Sequence, residues 1–248
     1  MNREMISSRQ NRYVRQIISL RKKKERDASR LIWVEGERGV SSLPEGTDVL
    51  FYVTTDPERA SSYPSAICVT EDIFSYISDV SAPQGIGAVC AMPEDGAVTE
   101  DMRHIVYLDR VQNPDNVGAI VRSAACAGFD AVITGPGSAD IWSPKALRAS
   151  AACVFMTKMI RGSLEDVKAL RDKGYSVIGS HLSGSEDADI SAPERSVLII
   201  GNEGSGMSDE ASGLCDCLVR IPMRDGCESL NAACAATLLM YRIKGIFR

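Results

Sequence analysis

The chain has 248 residues, 44% of them hydrophobic and 25% charged, with a formal net charge of −5. That length suffices for one large or two modest buried cores, and the composition is ordinary for a folded globular chain. No apolar run reaches the length of a membrane span, and the start, Met1-Asn2-Arg3-Glu4, has no apolar signal segment, so no membrane partner is expected.

The charge is unevenly distributed. Residues 1–30 hold ten Lys/Arg against three Asp/Glu, about +7 at the start and about −12 on the rest. A basic end on an acidic body can bind phosphates by counterion release, although a solvated helical face would give the same run. Eight cysteines with no Cys-x-x-Cys pair, and only His104 and His181 besides, make no zinc pattern. No metal is expected, and the thiols fit a reducing, cytoplasmic compartment.

In chain order, Ser8–Lys24 has a rough helical stripe (Tyr13, Ile17, Ile18, Leu20) with basic residues around it. Strands are expected at Leu31–Val34, Val49–Val53, Ala66–Val69 and Gly85–Ala91. Between them lie a helical turn over Asp56–Ser61 and a helix to about Ile77, started by Thr70 as N-cap. The alternation describes a compact α/β unit over residues 1–93. Met92–Asp101 is polar, contains Pro and Gly, and marks a linker at 94–103.

A second α/β domain over 104–248 begins with strand Ile105–Leu108 and a helix from about Asp115 to Ala127, ended by Gly128. Strand Ala131–Thr134, a helix near Lys145–Ala151, a strand near Val154–Met159, helix Leu164–Lys173 and strand Ser176–Gly179 follow. The last strands, Val197–Ile200 and Cys217–Ile221, are apolar enough to be buried on both faces. The first runs into the loop Gly201-Asn202-Glu203-Gly204-Ser205-Gly206, and Glu228-Ser229-Leu230-Asn231 opens an apolar helix over Ala232–Ile246. Loops leaving the ends of buried strands are where open α/β sheets bind ligands.

Three stretches together identify a family resemblance. Asn113-Pro114-Asp115-Asn116-Val117-Gly118-Ala119-Ile120-Val121-Arg122, then Gly201–Gly206 with Ile221-Pro222-Met223, then Ser229-Leu230-Asn231, resemble in order the signature motifs of the SpoU (TrmH-type) RNA 2′-O-ribose methyltransferases of the SPOUT class. The resemblance is strong over Arg103–Arg248 and weaker over Arg9–Pro93, where Val34-Glu35-Gly36-Glu37 and Pro83-Gln84-Gly85-Ile86 look like landmarks of the family's L30e-like substrate-binding extension. It implies a C-terminal SPOUT domain with a deep trefoil knot, preceded by the smaller domain. It also implies a cytoplasmic homodimer that transfers a methyl group from S-adenosylmethionine (SAM) to a ribose 2′-hydroxyl. Structured 23S-type rRNA is the first substrate expectation and tRNA the second. A non-catalytic SAM- and RNA-binding assembly protein is one alternative, and a phosphate-binding α/β enzyme using Gly201–Gly206 as an anion loop is another.

By the same resemblance, Leu182, Gly201, Ile221, Met223 and Leu230 hold the cofactor, while Asn116, Arg122, Glu203, Ser229 and Asn231 form the catalytic set. A sulfonium donor loses its charge on transfer, so glycine-loop backbone and apolar side chains suffice to hold it. Read alone, Ile221 and Leu230 could be core, Asn116 and Ser229 helix caps, and Arg122 a surface arginine. Glu203 and Asn231 could brace the loops by hydrogen bonds. Arg122 offers a two-pronged fork to a phosphate; its guanidinium scarcely gives up a proton, so fixing the phosphate and polarising the hydroxyl is the better role. The family usually has Gly two residues after the Ile-Pro-Met methionine; here Asp225 stands there and Gly226 follows. Arg242 stands where an acidic residue is common.

Overall fold

Runs of apolar residues become the strands of two separate sheets in a computed structural model that describes residues 5–186, 188–190 and 192–246. Residues 1–4 and 247–248, at the outer ends of the two expected domains, lie outside the described residues. Contacts divide the chain into one unit of Met1–Glu94 with Trp142–Phe155 and another of Asp95–Ile141 with Met156–Arg248.

The first unit contains α1 (Arg12–Ser19), α2 (Lys23–Ser29), β1 (Leu31–Glu35), α3 (Glu37–Ser41), β2 (Val49–Thr54), β3 (Ile67–Cys68), α4 (Glu71–Ile77) and β4 (Ile86–Ala91). Its sheet runs β1-β4-β2-β3, with β4 antiparallel to both neighbours and β3 parallel to β2. Val14 and Ile17 of α1, Leu20 just after it, and Ile73, Phe74 and Ile77 of α4 pack on Trp33, Phe51, Val53 and Val89 of the sheet. Burying each such side chain contributes about 1.5–3 kcal/mol, which is what holds two short helices in place. Thr70 caps α4 by accepting from the Ile73 amide.

The helical stripe expected over Ser8–Lys24 is α1 and the start of α2, and part of the basic charge of this region is turned inward. Arg26 is buried and donates to the carbonyls of Leu20 and Arg21, at 2.7 and 2.9 Å, closing the end of α1. Arg21 in turn donates to the last carbonyls of α4, those of Tyr76, Ile77 and Ser78. Both satisfy acceptors that a helix end leaves open.

The second unit contains β5 (His104–Leu108), α5 (Pro114–Ala127) and β6 (Ala131–Thr134). The next helix, α6 (Pro144–Ala149), belongs to the first unit, where it packs on β1; the sequence had placed it within 104–248. Then come β7 (Lys158–Arg161), α7 (Leu164–Asp172), β8 (Ser176–Ser185), β9 (Ser196–Ile200), α8 (Asp209–Leu214), β10 (Cys217–Val219) and α9 (Ala232–Ile243). The six strands are all parallel in the order β10-β8-β9-β5-β6-β7. Every residue of β5 and β9 is buried, the physical basis of their unbroken apolar runs. Tyr107, Ile133, Val177, Val197 and Ile199 pack against Val167 and Leu170 of α7 and Ala211 of α8. Helices α5 and α9 lie against each other, joined by a 2.7 Å hydrogen bond between Ser123 and Thr237.

Two expectations shift. The strand near Val154–Met159 is a short 3-10 turn over Cys153–Phe155 followed by β7, whose register is set by pairing Ala131 with Lys158. The apolar run there could not distinguish the two. Helices α3 and α8, of five and six residues, were not anticipated, because elements that short carry less than two turns of periodicity.

Candidate active site

From β5 the chain steps outward through β6 and β7, then returns to place β9 on the other side of β5. Such a reversal opens a crevice at the carboxyl ends of the two strands. Three segments leave the sheet there: the β5–α5 loop, the loop after β9, and the loop from β10 to α9.

The loop after β9 is folded by Asn202. Its side-chain carbonyl accepts from the amides of Gly204 and Ser205, both at 3.0 Å, and its amide donates to the Arg110 carbonyl at 2.8 Å. Asn202 and Gly206 also exchange backbone hydrogen bonds at 3.0 Å. A Cβ on Gly201 would lie 2.2 Å from the Met207 nitrogen and 2.4 Å from the Gly206 carbonyl carbon, so only glycine fits. The amides of Asn202, Gly204, Ser205 and Gly206 are therefore consumed within the loop, which leaves a poor cradle for a phosphate and weighs against the anion-loop alternative.

Glu203 points the other way, to the β5–α5 loop. One carboxylate oxygen accepts from Asn113 N at 3.0 Å and from the Asn116 side chain at 2.9 Å; the other accepts from Gln112 N at 3.2 Å. Burial pushes its pKa up, but the Asn116 bond, its own amide and those of Asn113 and Gln112 outweigh that and hold it below the usual carboxylate value. A carboxylate so engaged is a brace and a weak base.

Asn116 is buried, in the first turn of α5; the cap is Asn113, which accepts from the Asp115 amide, and Pro114 follows. Its side-chain carbonyl accepts from Asn231 at 2.9 Å. Asn231, not Ser229, caps α9, accepting from Ala233 N and Cys234 N. Ser229 stands exposed, and the sequence reading of it as a cap is corrected: the helix begins two residues later. Glu203, Asn116 and Asn231 thus form one continuous chain across all three segments. Because Asn116 pairs with Asn231 and Ser123 with Thr237, α5 and α9 run parallel, with both positive N-terminal ends at this point.

Beside the chain is a crevice of about 380 Å³. Leu182, Gly201, Ile221, Met223 and Leu230 all line it, as do Glu203 and Ser229; Asn116, Arg122 and Asn231 do not. Leu182 and Leu230 remain 58% and 41% exposed, so they are rim and not core. Gly226, directly after Asp225, has φ +89°, a left-handed conformation that glycine adopts without strain. Arg122 lies on an exposed face of α5, six residues beyond Asn116, and its side chain makes no hydrogen bond or ion pair to another of the described residues. Arg242 donates to the Ala188 carbonyl at 2.6 Å, an internal role. Among the described residues no group of His, Cys, Asp or Glu is arranged to hold a metal ion. The sequence missed Asn202 and Gln112, whose signal was an asparagine inside a glycine loop and a backbone amide that no side-chain reading finds.

Residues 103–241 match the model of the SpoU rRNA Methylase family, and residues 11–88 match that of the MRM3-like substrate binding domain. The chain belongs to the SpoU rRNA methylase family. Membership makes it a SAM-dependent RNA methyltransferase with an N-terminal substrate-binding domain. Among SpoU relatives, it is 32% identical to the 23S rRNA (guanosine(2553)-2′-O)-methyltransferase RlmP of Bacillus subtilis, over 98% of this chain and 100% of that one. It is 36% identical to the 23S rRNA (uridine(2479)-2′-O)-methyltransferase of Streptomyces viridochromogenes, over 71% of this chain and 65% of that one. The AdoMet-bound rRNA methyltransferase of Sinorhizobium meliloti superposes with a TM-score of 0.84 at 27% identity, covering 99% and 98% of the two chains. The SpoU methyltransferase AviRb of S. viridochromogenes, in complex with AdoMet, gives 0.81 at 28% identity, covering 94% and 97%.

Proposed function

We propose that this SpoU chain methylates a ribose 2′-hydroxyl in 23S-type rRNA, with SAM seated in the crevice formed by Leu182, Gly201, Ile221, Met223 and Leu230. The observation that carries the reading is the Glu203–Asn116–Asn231 chain, which ties the SpoU motifs together at the mouth of a crevice with an apolar rim. The residues fit the donor: a glycine loop that admits no Cβ at Gly201, a rim of four apolar side chains, and carboxylates but no Lys or Arg among the lining groups to oppose a sulfonium. Bound there, SAM supplies an electrophilic methyl group.

The chain's own residues do the rest. Glu203 and Asn231 hold Asn116, and with it the first turn of α5, at a fixed distance from the glycine loop. The paired N-terminal ends of α5 and α9 favour an RNA phosphate. Arg122, exposed and uncommitted, grips that phosphate and polarises the 2′-hydroxyl, whose proton leaves toward the phosphate or water. Ser229 on the crevice wall orients the hydroxyl. Glu203 is no general base, since three N–H donors already occupy its carboxylate. We read the parallel packing of α5 and α9 around these loops as part of a trefoil knot, and the functional unit as a cytoplasmic homodimer with α9 at its interface, where Leu238 is 47% exposed.

Transfer of tritiated methyl from SAM to 23S rRNA and to tRNA, followed by mapping of 2′-O-methyl positions, tests the proposal. A single new mark in 23S rRNA that disappears with Asn116→Ala is expected. Label confined to tRNA overturns the substrate, and no label with SAM still bound favours a non-catalytic assembly protein.

A further inference from the structure

The crevice has a third wall that neither loop supplies. Strand β10 pairs Leu218 with Gly179 on β8, but the next residue, Val219, pairs with Ser185. One step on β10 therefore spans six on β8, and the intervening Ser180–Gly184 arches out of the ladder. The arch returns through Gly184, where a Cβ would lie 2.6 Å from the Leu218 carbonyl carbon and oxygen. Two backbones touch at its foot.

The arch is shaped by one ring. His181 Nδ1 accepts from the Ser183 amide at 3.1 Å and lies 2.7 Å from the Ser183 hydroxyl. A backbone N–H can only donate, so Nδ1 carries a lone pair and Nε2 carries the hydrogen of the neutral ring. This is the closure by which an Asx turn stabilises itself: a side-chain acceptor at one residue and the amide two residues on. Between the two bonded residues sits Leu182, more than half exposed although apolar, with Ser180, His181 and Leu182 all on the crevice wall.

We infer that His181 is a positioning residue for the methyl donor: its imidazole closes the arch and thereby presents Leu182 as the third side of the donor crevice. This rests on the reading that SAM occupies the crevice. The role belongs to the Nδ1 acceptor, so an asparagine at 181, whose side-chain oxygen reaches the same amide, replaces it and an alanine does not. The arch lies toward the edge of the sheet and buries little, so its closure bears on donor affinity and hardly on folding.

Calorimetric titration of SAM into the full-length wild type, His181→Ala and His181→Asn, with steady-state kinetics and thermal unfolding on the same samples, tests this. His181→Ala should weaken donor binding and raise the donor KM about tenfold, with kcat at saturating donor, the RNA KM and the unfolding temperature little changed. His181→Asn should recover donor affinity to within about threefold of wild type. Unchanged affinity in His181→Ala overturns the inference, as does an asparagine variant as weak as the alanine one. Wild type that binds no SAM sinks the donor reading itself and the inference with it, a result distinct from either of the others.

Discussion

Asn231 donates to Asn116 at 2.9 Å across 115 positions of sequence, and this bond sets the N-terminal ends of two parallel helices side by side. It uses the side-chain carbonyl of Asn116 while the amide nitrogen donates to Glu203, so Asn116 is held from both sides by the other two. Deleting Asn116 leaves Glu203 short of a donor and Asn231 without an acceptor. Asn116→Ala should lose about 1–3 kcal/mol in urea unfolding, the range for a part-buried polar group left unpaired. A double-mutant cycle with Asn231→Ala should give a coupling of about 0.5–1.5 kcal/mol; strict additivity would show that the bond does not hold the loops.

Arg122 makes the opposite prediction. Exposed and with no partner among the described residues, it contributes little to the fold, and Arg122→Ala should change stability by no more than about 0.5 kcal/mol. Methyl transfer should nevertheless collapse. Arg122→Lys keeps the charge but loses the fork, so turnover should still drop by more than about tenfold. Full turnover by the lysine variant would refute the role given to Arg122.

The pKa of Glu203 lies below its ordinary value in the folded chain, despite burial pushing it up, because Asn116 and nearby amides bond the charged form. A depressed folded pKa gives stability that is complete above the unfolded value, about 4.3, and is lost as pH falls through the folded one. Glu203→Gln should therefore flatten the acid limb of a stability–pH curve below about pH 4.3 and lower the plateau above it. An unaltered acid limb would mean that the carboxylate is not bound as described.

His104 acts in a separate window. Burial first, then Lys244 and Arg103, lower its pKa against the pull of Asp130, and its ring meets Ser196 Oγ at 3.0 Å. The unfolded chain therefore binds the proton more readily, and stability should decline as pH falls below about 6.5 toward the lower folded value. Chemical denaturation across that range should lose this slope in His104→Gln. A wild-type curve flat between neutrality and pH 5 would contradict it.

Gly201→Ala tests the glycine loop. The added Cβ meets loop backbone on the Met207 and Gly206 side, which cannot turn aside as a side chain can. Donor affinity measured by calorimetry should weaken by more than about tenfold while the sheet, whose strand ends at Ile200, remains folded. Normal affinity would place the donor elsewhere.

Much of this was legible in the chain of letters. The unbroken apolar runs of β5 and β9 announced strands buried on both faces; Thr70 announced the start of α4, and the three SpoU motifs announced the family and the crevice residues. What resisted reading was of two kinds. Elements too short for periodicity, α3 and α8, gave no pattern, and the turn before β7 was hidden because an apolar run does not state its register. A side chain with two plausible roles was also undecided: Ser229 looked like a cap until Asn231 took that place before α9.

The sequence by itself determined most of the segments that become strands, which loops leave the strand ends, and which family the chain belongs to, because burial patterning and motif order are properties of neighbouring residues. Only the tertiary structure decided that Glu203 braces Asn116, that Asn116 in turn holds Asn231, that Trp142–Phe155 counts with the first unit, and that His181 ties the arch bearing Leu182. Hydrogen bonds between residues 87 or 115 positions apart leave no local trace; they exist because the sheet reverses its strand order and brings three loops to one edge.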